Sequence, residues 1–226
     1  MTTLEAPARI EEVPPTPQRM TYADFRAWAG EDTHAEWADG EVILLMPPKH
    51  VHQIMVSFLD RLLGAFVRVF KSGEVIVAPF ELRIKPGGNS REPDVMFIAN
   101  AHRDRVTPEK VIGPPDLIIE IVSDESVHRD RVDKFDEYEA GGVPEYWIID
   151  YRTGHPRRAD FYQPDRTGHY QRVTIDDDGV YRSAALPGFW INVNDLLADD
   201  PDWLKALGRI VGPERLTEIL RSEMGA

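Results

Sequence analysis

The segment Pro115–Ser123 constrains the fold of this chain more than any other. From Leu117 to Val122 it is apolar on both alternating faces, except for Glu120. A short run of this kind predicts a central strand that is covered on both sides. An unpaired carboxylate in such a strand costs several kcal/mol or has a raised pKa. We therefore expect a partner for Glu120 in the folded protein.

A second acid lies at the mouth of another apolar strand, in the segment Glu92-Pro93-Asp94-Val95-Met96-Phe97-Ile98. Two acids at strand positions of one sheet could together hold a hard cation through oxygen. The chain has no cysteine, so the ligands of any metal must come from Asp, Glu, His or backbone oxygen.

The flanking segments predict both helices and strands. Asp39-Gly40 is a strong signal for a hairpin turn, and apolar residues recur at helical spacing from about His50 to Phe70. We expect Gly73 to end that helix, and a charged helix to run from about Ser126 to Ala140. This mixture predicts an α+β (mixed α/β) fold around one sheet.

Charge limits the classes of partner. The formal net charge of -13 disfavours strong non-specific binding to nucleic acid but is compatible with a local basic cleft. Candidates for such a cleft, with a solvated charged surface as the alternative, are Arg103, Arg105, Lys110, Arg129 and Arg131. No apolar window approaches the roughly 18 to 20 residues of a membrane span, and the N-terminus lacks signal-peptide features, so we expect a cytoplasmic protein.

Several motifs follow one another along the chain: Glu36-x-x-Asp39-Gly40-Glu41, Met46-Pro47-Pro48, His52, Glu92-Pro93-Asp94, Pro115 to Ser123, Asp130, Lys134, Tyr138, Gly142 to Trp147 and Asp150. In this order they closely resemble the Uma2 family of the PD-(D/E)XK restriction-endonuclease-like superfamily. The resemblance covers about residues 20 to 198.

The resemblance implies a restriction-endonuclease-like core, in which a central mixed β-sheet flanked by helices carries an acidic metal site. It implies an endonuclease that hydrolyses DNA phosphodiester bonds with Mg²⁺, or alternatively Mn²⁺, and that acts as a homodimer. The alternative function is a catalytically inactive nuclease fold used for binding or assembly. We divide the chain into a disordered N-terminal arm (1–18), a nuclease-like domain (19–198) and a C-terminal helical extension (199–226).

The same resemblance assigns roles to the acids. Asp94 and Glu120 are the expected metal ligands, with the backbone carbonyl of Ile121 as a third oxygen. Glu36 corresponds to an auxiliary acid that binds the metal directly or through water. For any single strand carboxylate, the alternative is a buried salt bridge to Arg or Lys.

The lysine of the superfamily motif is absent from its usual place, where this chain has Val122. An apolar side chain cannot orient water or stabilise developing negative charge. Lys134 on the following helix could bring an ammonium group to the same place, because its long stem can run along apolar surface. The alternative is that Lys134 pairs with Asp130 or Tyr138, one turn away on its own helix.

Two further residues are expected to line the site. His52 lies at the border of the apolar face of its helix, where a packed or hydrogen-bonded role is the alternative to a ligand or base. Ser123 follows the Glu120 strand and is expected to be a cap or turn residue. A nucleophilic role is disfavoured because no adjacent His-Asp pair is visible to activate it.

Overall fold

The computed structural model describes residues 19–30 and 33–223, so the predicted arm 1–18 lies outside the described residues. The helices are α1 (Tyr22–Trp28), α2 (His50–Phe70), α3 (Lys134–Ala140), α4 (Val193–Leu196), α5 (Trp203–Val211) and α6 (Pro213–Glu223). The strands are β1 (Ala35–Ala38), β2 (Glu41–Leu44), β3 (Gly73–Val77), β4 (Glu81–Arg83), β5 (Val95–Ala99), β6 (Lys110–Ile112), β7 (Leu117–Val122), β8 (Tyr146–Asp150), β9 (Arg158–Pro164), β10 (Tyr170–Arg172), β11 (Val180–Arg182) and β12 (Trp190–Asn192).

The central sheet has six strands within the described residues, in the order β10-β9-β8-β7-β5-β3. Strands β7 and β8 are parallel, whereas the other neighbouring pairs are antiparallel. The sheet is therefore mixed, as expected. All residues of β7 are buried, which confirms the prediction of a covered central strand.

The two faces of β7 pack against different helices. Ile119 and Ile121 belong to a core cluster that contains the buried residues of α2. Ile118 and Val122 belong to a second cluster that contains Tyr138 of α3. Because side chains alternate along a strand, Glu120 faces α3 together with Ile118 and Val122.

Helix α2 has the bounds that its apolar spacing predicts, but the prediction of its end at Gly73 is wrong. The residue after the helix is Lys71, which adopts a left-handed conformation with φ 50°. Gly73 instead begins β3, where a Cβ atom would lie 2.1 Å from the carbonyl oxygen of Ile98. This glycine is required by the close approach of two backbones rather than by a helix end.

The predicted hairpin is present and positions Glu36. Asp39 and Gly40 both have positive φ (50° and 87°) between β1 and β2, as the turn type that matches strand twist requires. The backbone of Trp37 exchanges hydrogen bonds of 2.9 and 2.8 Å with that of Ser90. This bridge brings β1 beside the segment that leads to Asp94.

The charged helix contains a π-helical turn at Arg129–Asp133 before α3, where the sequence predicts regular helix. The hydroxyl of Tyr146 donates a 2.8 Å hydrogen bond to the carbonyl of Asp130. This side chain occupies an acceptor that a regular helix would use in its own ladder, which explains the wider turn. Turns of this kind recur at functional sites.

The chain after β12 is helical and packs on the rest of the fold. Ala206 and Leu207 of α5 are buried in the same core cluster as α2, and Pro213 begins a separate helix, α6. The division into arm, domain and extension stays a prediction. No helix within the described ranges has the length and apolar character needed to cross a membrane.

Candidate functional site

A cleft opens where β5 and β7 part. Their pairing ends at Val95 opposite Ile119, while β7 continues to Val122. The carboxylate of Asp94, one residue before β5, accepts a 2.7 Å hydrogen bond from the backbone N–H of Ile121, beyond the point where the two strands pair. The cleft has a volume of about 580 Å³ and is lined by all the residues that the sequence assigns to the site: Glu36, His52, Asp94, Glu120, Ile121, Val122, Ser123 and Lys134.

Glu120 has the partner that its buried position requires. Its Oε1 atom accepts hydrogen bonds from Nζ of Lys134 at 2.8 Å and from the hydroxyl of Tyr138 at 2.9 Å. Burial raises the pKa of Glu120 to about 8, because the charge of Lys134 only partly offsets desolvation and the nearby carboxylates. A buried carboxyl thus lines the cleft without full charge compensation.

The ammonium group of Lys134 lies beside Glu120 and contacts two further carboxylates. Its Nζ atom is also 2.9 Å from Oε1 of Glu36 and 3.7 Å from Oδ1 of Asp130. The same ammonium group therefore faces Glu120 and pairs along its own helix, so the two arrangements considered above coexist. Burial lowers the pKa of Lys134, but the surrounding carboxylates outweigh it and hold the pKa above its usual value.

Glu36 is fully buried and surrounded by cations. Nη1 of Arg91 lies 3.2 Å away and Nε of Arg129 3.7 Å away, both from Oε2. The backbone N–H of Glu92 donates to Oε1 at 3.1 Å. Burial opposes ionisation, but the charges of Lys134, Arg91 and Arg129 lower the pKa of Glu36 to about 2. In this arrangement Glu36 anchors Lys134.

His52 supports Asp94. Its Nε2 atom lies 3.2 Å from the Asp94 carboxylate. Burial disfavours the imidazolium form, but the hydrogen bond and charge of Asp94 outweigh it and raise the pKa of His52. Among the described residues, its buried Nδ1 atom has no hydrogen-bond partner. The side chain of Asp94 is thereby held between an imidazole ring and a backbone amide.

Val122 and Ser123 occupy the edge of the cleft. Val122 is buried in the second core cluster, so it contributes shape and no charge. The backbone N–H of Ser123 donates to Oγ of Ser126 at 2.9 Å, and its carbonyl accepts from the Ser126 N–H at 3.2 Å. Ser123 is therefore a turn residue, as the sequence predicts.

Sequence reasoning placed Lys134 in the site but not its neighbours Asp130, Tyr138, Arg91 and Glu92. Asp130, Lys134 and Tyr138 are four residues apart, and this spacing already indicates a common helix face. Arg91 belongs to an irregular connection with no periodicity, so no sequence signal pointed to it, and Glu92 was named only as part of the Glu92-Pro93-Asp94 motif. Glu92 lines the cleft, and burial, together with the nearby Glu36, raises its pKa to about 7.

The cleft offers carboxylates of the kind that a divalent cation with few protein ligands uses. In the part of the chain that the structure describes, no three His, Asp or Glu side chains are arranged to hold a metal ion. Mg²⁺ is commonly held by one or two carboxylates and water. Asp94 and Glu120 supply two such groups on one cleft, and the raised pKa of Glu120 marks a carboxyl that a cation would stabilise in its ionised form.

The six-stranded mixed sheet, flanked by helices and with an acidic cleft, is the architecture that the sequence predicts. The chain belongs to the Uma2 family, described as "Putative restriction endonuclease", which matches residues 22–194. This confirms the resemblance seen in the sequence motifs. A search of curated proteins finds no match.

The fold is similar to a crystal structure described as that of "a putative nuclease belonging to DUF820" from Anabaena variabilis. The TM-score is 0.64 at 17% sequence identity, and the match covers 82% of this chain and 99% of the other. At this identity the similarity concerns the fold, and it confirms the predicted class of a central mixed sheet flanked by helices.

Proposed function

We propose that the protein is a magnesium-dependent endonuclease that hydrolyses phosphodiester bonds in DNA. The observation that carries this proposal is that Asp94 and Glu120 line one cleft with an ammonium group 2.8 Å from Glu120. Hydrolysis of a phosphodiester requires charge stabilisation at the phosphate and an activated water. Carboxylates and an ammonium group at one cleft are suited to both tasks.

The residues of the cleft would divide the work as follows. Asp94 and Glu120, with the carbonyl of Ile121, would hold Mg²⁺ or Mn²⁺. When bound, the ion polarises the phosphate and lowers the pKa of water. Lys134 would stabilise negative charge that develops near Glu120, and Glu36 would position its ammonium group. His52 would keep Asp94 oriented through their hydrogen bond.

Nicking of supercoiled plasmid by the purified protein in Mg²⁺ tests this proposal. We expect Asp94→Asn and Glu120→Gln each to reduce nicking at least about a hundredfold, since each removes a charge that the cation needs. The exposed acid Asp60 on α2 provides the control, and Asp60→Asn should nick like the wild type. Absence of nicking by the wild type, or equal rates in all variants, would contradict the proposal.

A second candidate is a nuclease fold that binds or assembles without turnover. The observation that favours it is the enclosure of Lys134 by Glu36, Glu120 and Asp130, which leaves its charge engaged within the protein. Calorimetry separates the two candidates. A Mg²⁺ or Mn²⁺ isotherm that is lost in Glu120→Gln supports the metal site, whereas the absence of any isotherm in the wild type supports the inactive module.

We also propose that the protein acts as a homodimer in the cytoplasm. The outer strands of the sheet, β3 and β10, are edges at which two sheets can pair. Light scattering at micromolar concentration measures the mass directly. A monomeric mass that persists in the presence of DNA would contradict the homodimer.

A further inference from the structure

Arginines gather around a buried acid outside the cleft. Asp160 on β9 is fully buried. Its carboxylate lies 2.9 Å from Nη1 of Arg131, 2.8 Å from Nε of Arg158 and 2.7 Å from Nη2 of Arg172. We call these four residues the Asp160 cluster.

The Asp160 cluster carries excess positive charge. Each guanidinium group has five N–H donors, and the two oxygens of Asp160 can accept only some of them. The side chains of Arg158 and Arg172 are 51% and 55% exposed, so their remaining donors face solvent. The neighbouring Asp150 does not cancel this excess, because it is paired with Arg152 at 2.8 Å. In a chain of net charge -13, such a surface is suited to an anion.

The cluster lies on the same face of the sheet as Glu120. Asp160 is opposite Ile148, which is opposite Glu120, and paired residues of neighbouring strands point to the same side. With strands about 4.8 Å apart, the backbones at Asp160 and Glu120 are separated by about 10 Å. In the sheet order, β8 alone lies between Glu120 on β7 and Arg158 on β9, and Arg172 is one strand further out, on β10.

Two further residues connect the cluster to the cleft. Arg131 belongs to the π-helical turn, and two other residues of this turn, Arg129 and Asp130, line the cleft. Arg152, at the end of β8, also lines the cleft and holds Asp150 beside Arg158 in register. A polymer bound in the cleft could therefore reach the arginines by way of Arg131 and Arg152, around the π-helical turn that covers this face of the sheet.

We propose that the Asp160 cluster binds backbone phosphates of the nucleic-acid strand whose scissile bond lies in the cleft. This inference rests on the proposed function. Arginine binds phosphate through parallel hydrogen bonds, and Asp160 holds the guanidinium groups together in spite of their mutual repulsion. The surface positions the substrate and reads no base.

Fluorescence anisotropy of an end-labelled single-stranded DNA oligonucleotide, measured in EDTA, tests the cluster without cleavage. We expect Arg158→Gln/Arg172→Gln to lower affinity at least about tenfold and to reduce the slope of log K against log salt by about 1.4. The single variant Arg172→Gln leaves Arg131 and Arg158 on Asp160 and should show about half of the slope change.

Arg182 provides the matched control. It is an exposed strand arginine paired with an acid, Asp176, at 2.6 Å, but it lies on β11 outside the central sheet. Arg182→Gln should bind like the wild type. Unchanged affinity and salt slope in both cluster variants, or equal losses in Arg182→Gln, would overturn the inference, as would absence of oligonucleotide binding by the wild type.

Two comparisons separate this inference from its alternatives. If polyglutamate binds with the same dependence on Arg158 and Arg172 and the oligonucleotide does not, the partner is an acidic polypeptide and the inference is wrong. If the wild type binds DNA through the cluster but does not nick plasmid, the proposed catalytic function fails while the phosphate-binding surface stands. If the cluster variants nick plasmid and bind DNA like the wild type, the phosphate-binding surface is contradicted while the proposed catalytic function stands.

Discussion

At the scale of single residues, Glu36 and Glu120 touch the same ammonium group and have opposite pKa shifts. Both are buried, and both accept a hydrogen bond or ion pair from Nζ of Lys134 at 2.8 to 2.9 Å. Glu36 also has Arg91 and Arg129 nearby, whereas Glu120 has the like charges of Asp130 and Asp94. The opposite directions of the two pKa shifts therefore come from the charged groups that surround each acid in addition to Lys134.

Glu36→Gln should destabilise the protein. The fall of its pKa from 4.5 to about 2 corresponds to about 3 kcal/mol of free energy of unfolding at pH 7. A carboxyl with a depressed pKa stabilises the fold above its unfolded pKa, and this contribution is lost as the pH falls toward the folded pKa. In urea unfolding, the free energy of unfolding of Glu36→Gln should be lower than that of the wild type at both pH values. This difference should be smaller at pH 4 than at pH 7 by about 1 kcal/mol.

Glu120→Gln is the matched comparison and should hold or raise stability in the absence of metal. Its pKa is raised from 4.5 to about 8, so the folded protein binds this proton more tightly than the unfolded chain does. Wild-type stability should then decline as the pH rises from about 4.5 to about 8, and the Gln variant should lack this decline. Melting temperatures at pH 5 and pH 8 measure it.

A large loss of melting temperature in Glu120→Gln at pH 8 would show that the ion pair with Lys134 dominates at this position. Equal effects of Glu36→Gln and Glu120→Gln would contradict the assignment of Glu36 as the anchor of Lys134. The residue types in the cleft were predictable from the sequence. Their pairing was not, because Arg91 and Lys134 approach Glu36 only when separate elements fold together.

At the scale of elements, sequence patterns predicted those whose signals are local. The bounds of α2 follow from its apolar spacing, and the Asp39-Gly40 turn follows from residues that tolerate positive φ. Two local features were mispredicted because contacts distant in the chain control them. Gly73 is required because β5 approaches its backbone closely, and the π-helical turn forms where the hydroxyl of Tyr146 binds the carbonyl of Asp130.

Substitution of glycine distinguishes the role of Gly73 from that of a helix residue. Gly73→Ala should lower the free energy of unfolding by about 1 to 3 kcal/mol, because its methyl group would meet the carbonyl of Ile98. Among the described residues, a Cβ added at Gly64 in the middle of α2 would meet no atom within 4 Å apart from its chain neighbours and the backbone of its own helix. Gly64→Ala should therefore stabilise by up to about 1 kcal/mol. Urea unfolding of both variants checks the pair, and a neutral Gly73→Ala would contradict the close approach.

At the scale of the whole molecule, the two faces of the central sheet are covered by different helices. Helix α2 covers one face, and the π-helical turn with α3 covers the face that carries Glu120. Helix α5 continues the layer of α2 although it lies beyond residues 22–194, which match the family. Its buried residues indicate that the chain after residue 199 stabilises the same core.

Leu207→Ala should therefore destabilise the whole protein. Removal of this buried side chain is expected to cost about 2 to 5 kcal/mol, because it packs in the cluster that contains α2. Leu204 on the same helix is 51% exposed, and Leu204→Ala should change stability by no more than about 0.5 kcal/mol. Tryptophan fluorescence and circular dichroism during urea unfolding should report a single shared transition. An early separate transition of α5 would contradict this view.

The sequence by itself determined the buried β7, the acid within it, the mouth position of Asp94 and the helix that brings Lys134. These features depend on residue type and spacing along short segments, which a linear pattern records. Only the tertiary structure decided that Glu36 anchors Lys134, that Glu120 is left with incomplete charge compensation, and that Arg131, Arg158 and Arg172 meet at Asp160. These outcomes depend on electrostatic contacts between segments far apart in the chain, and burial strengthens such contacts only after the sheet and its helices have assembled.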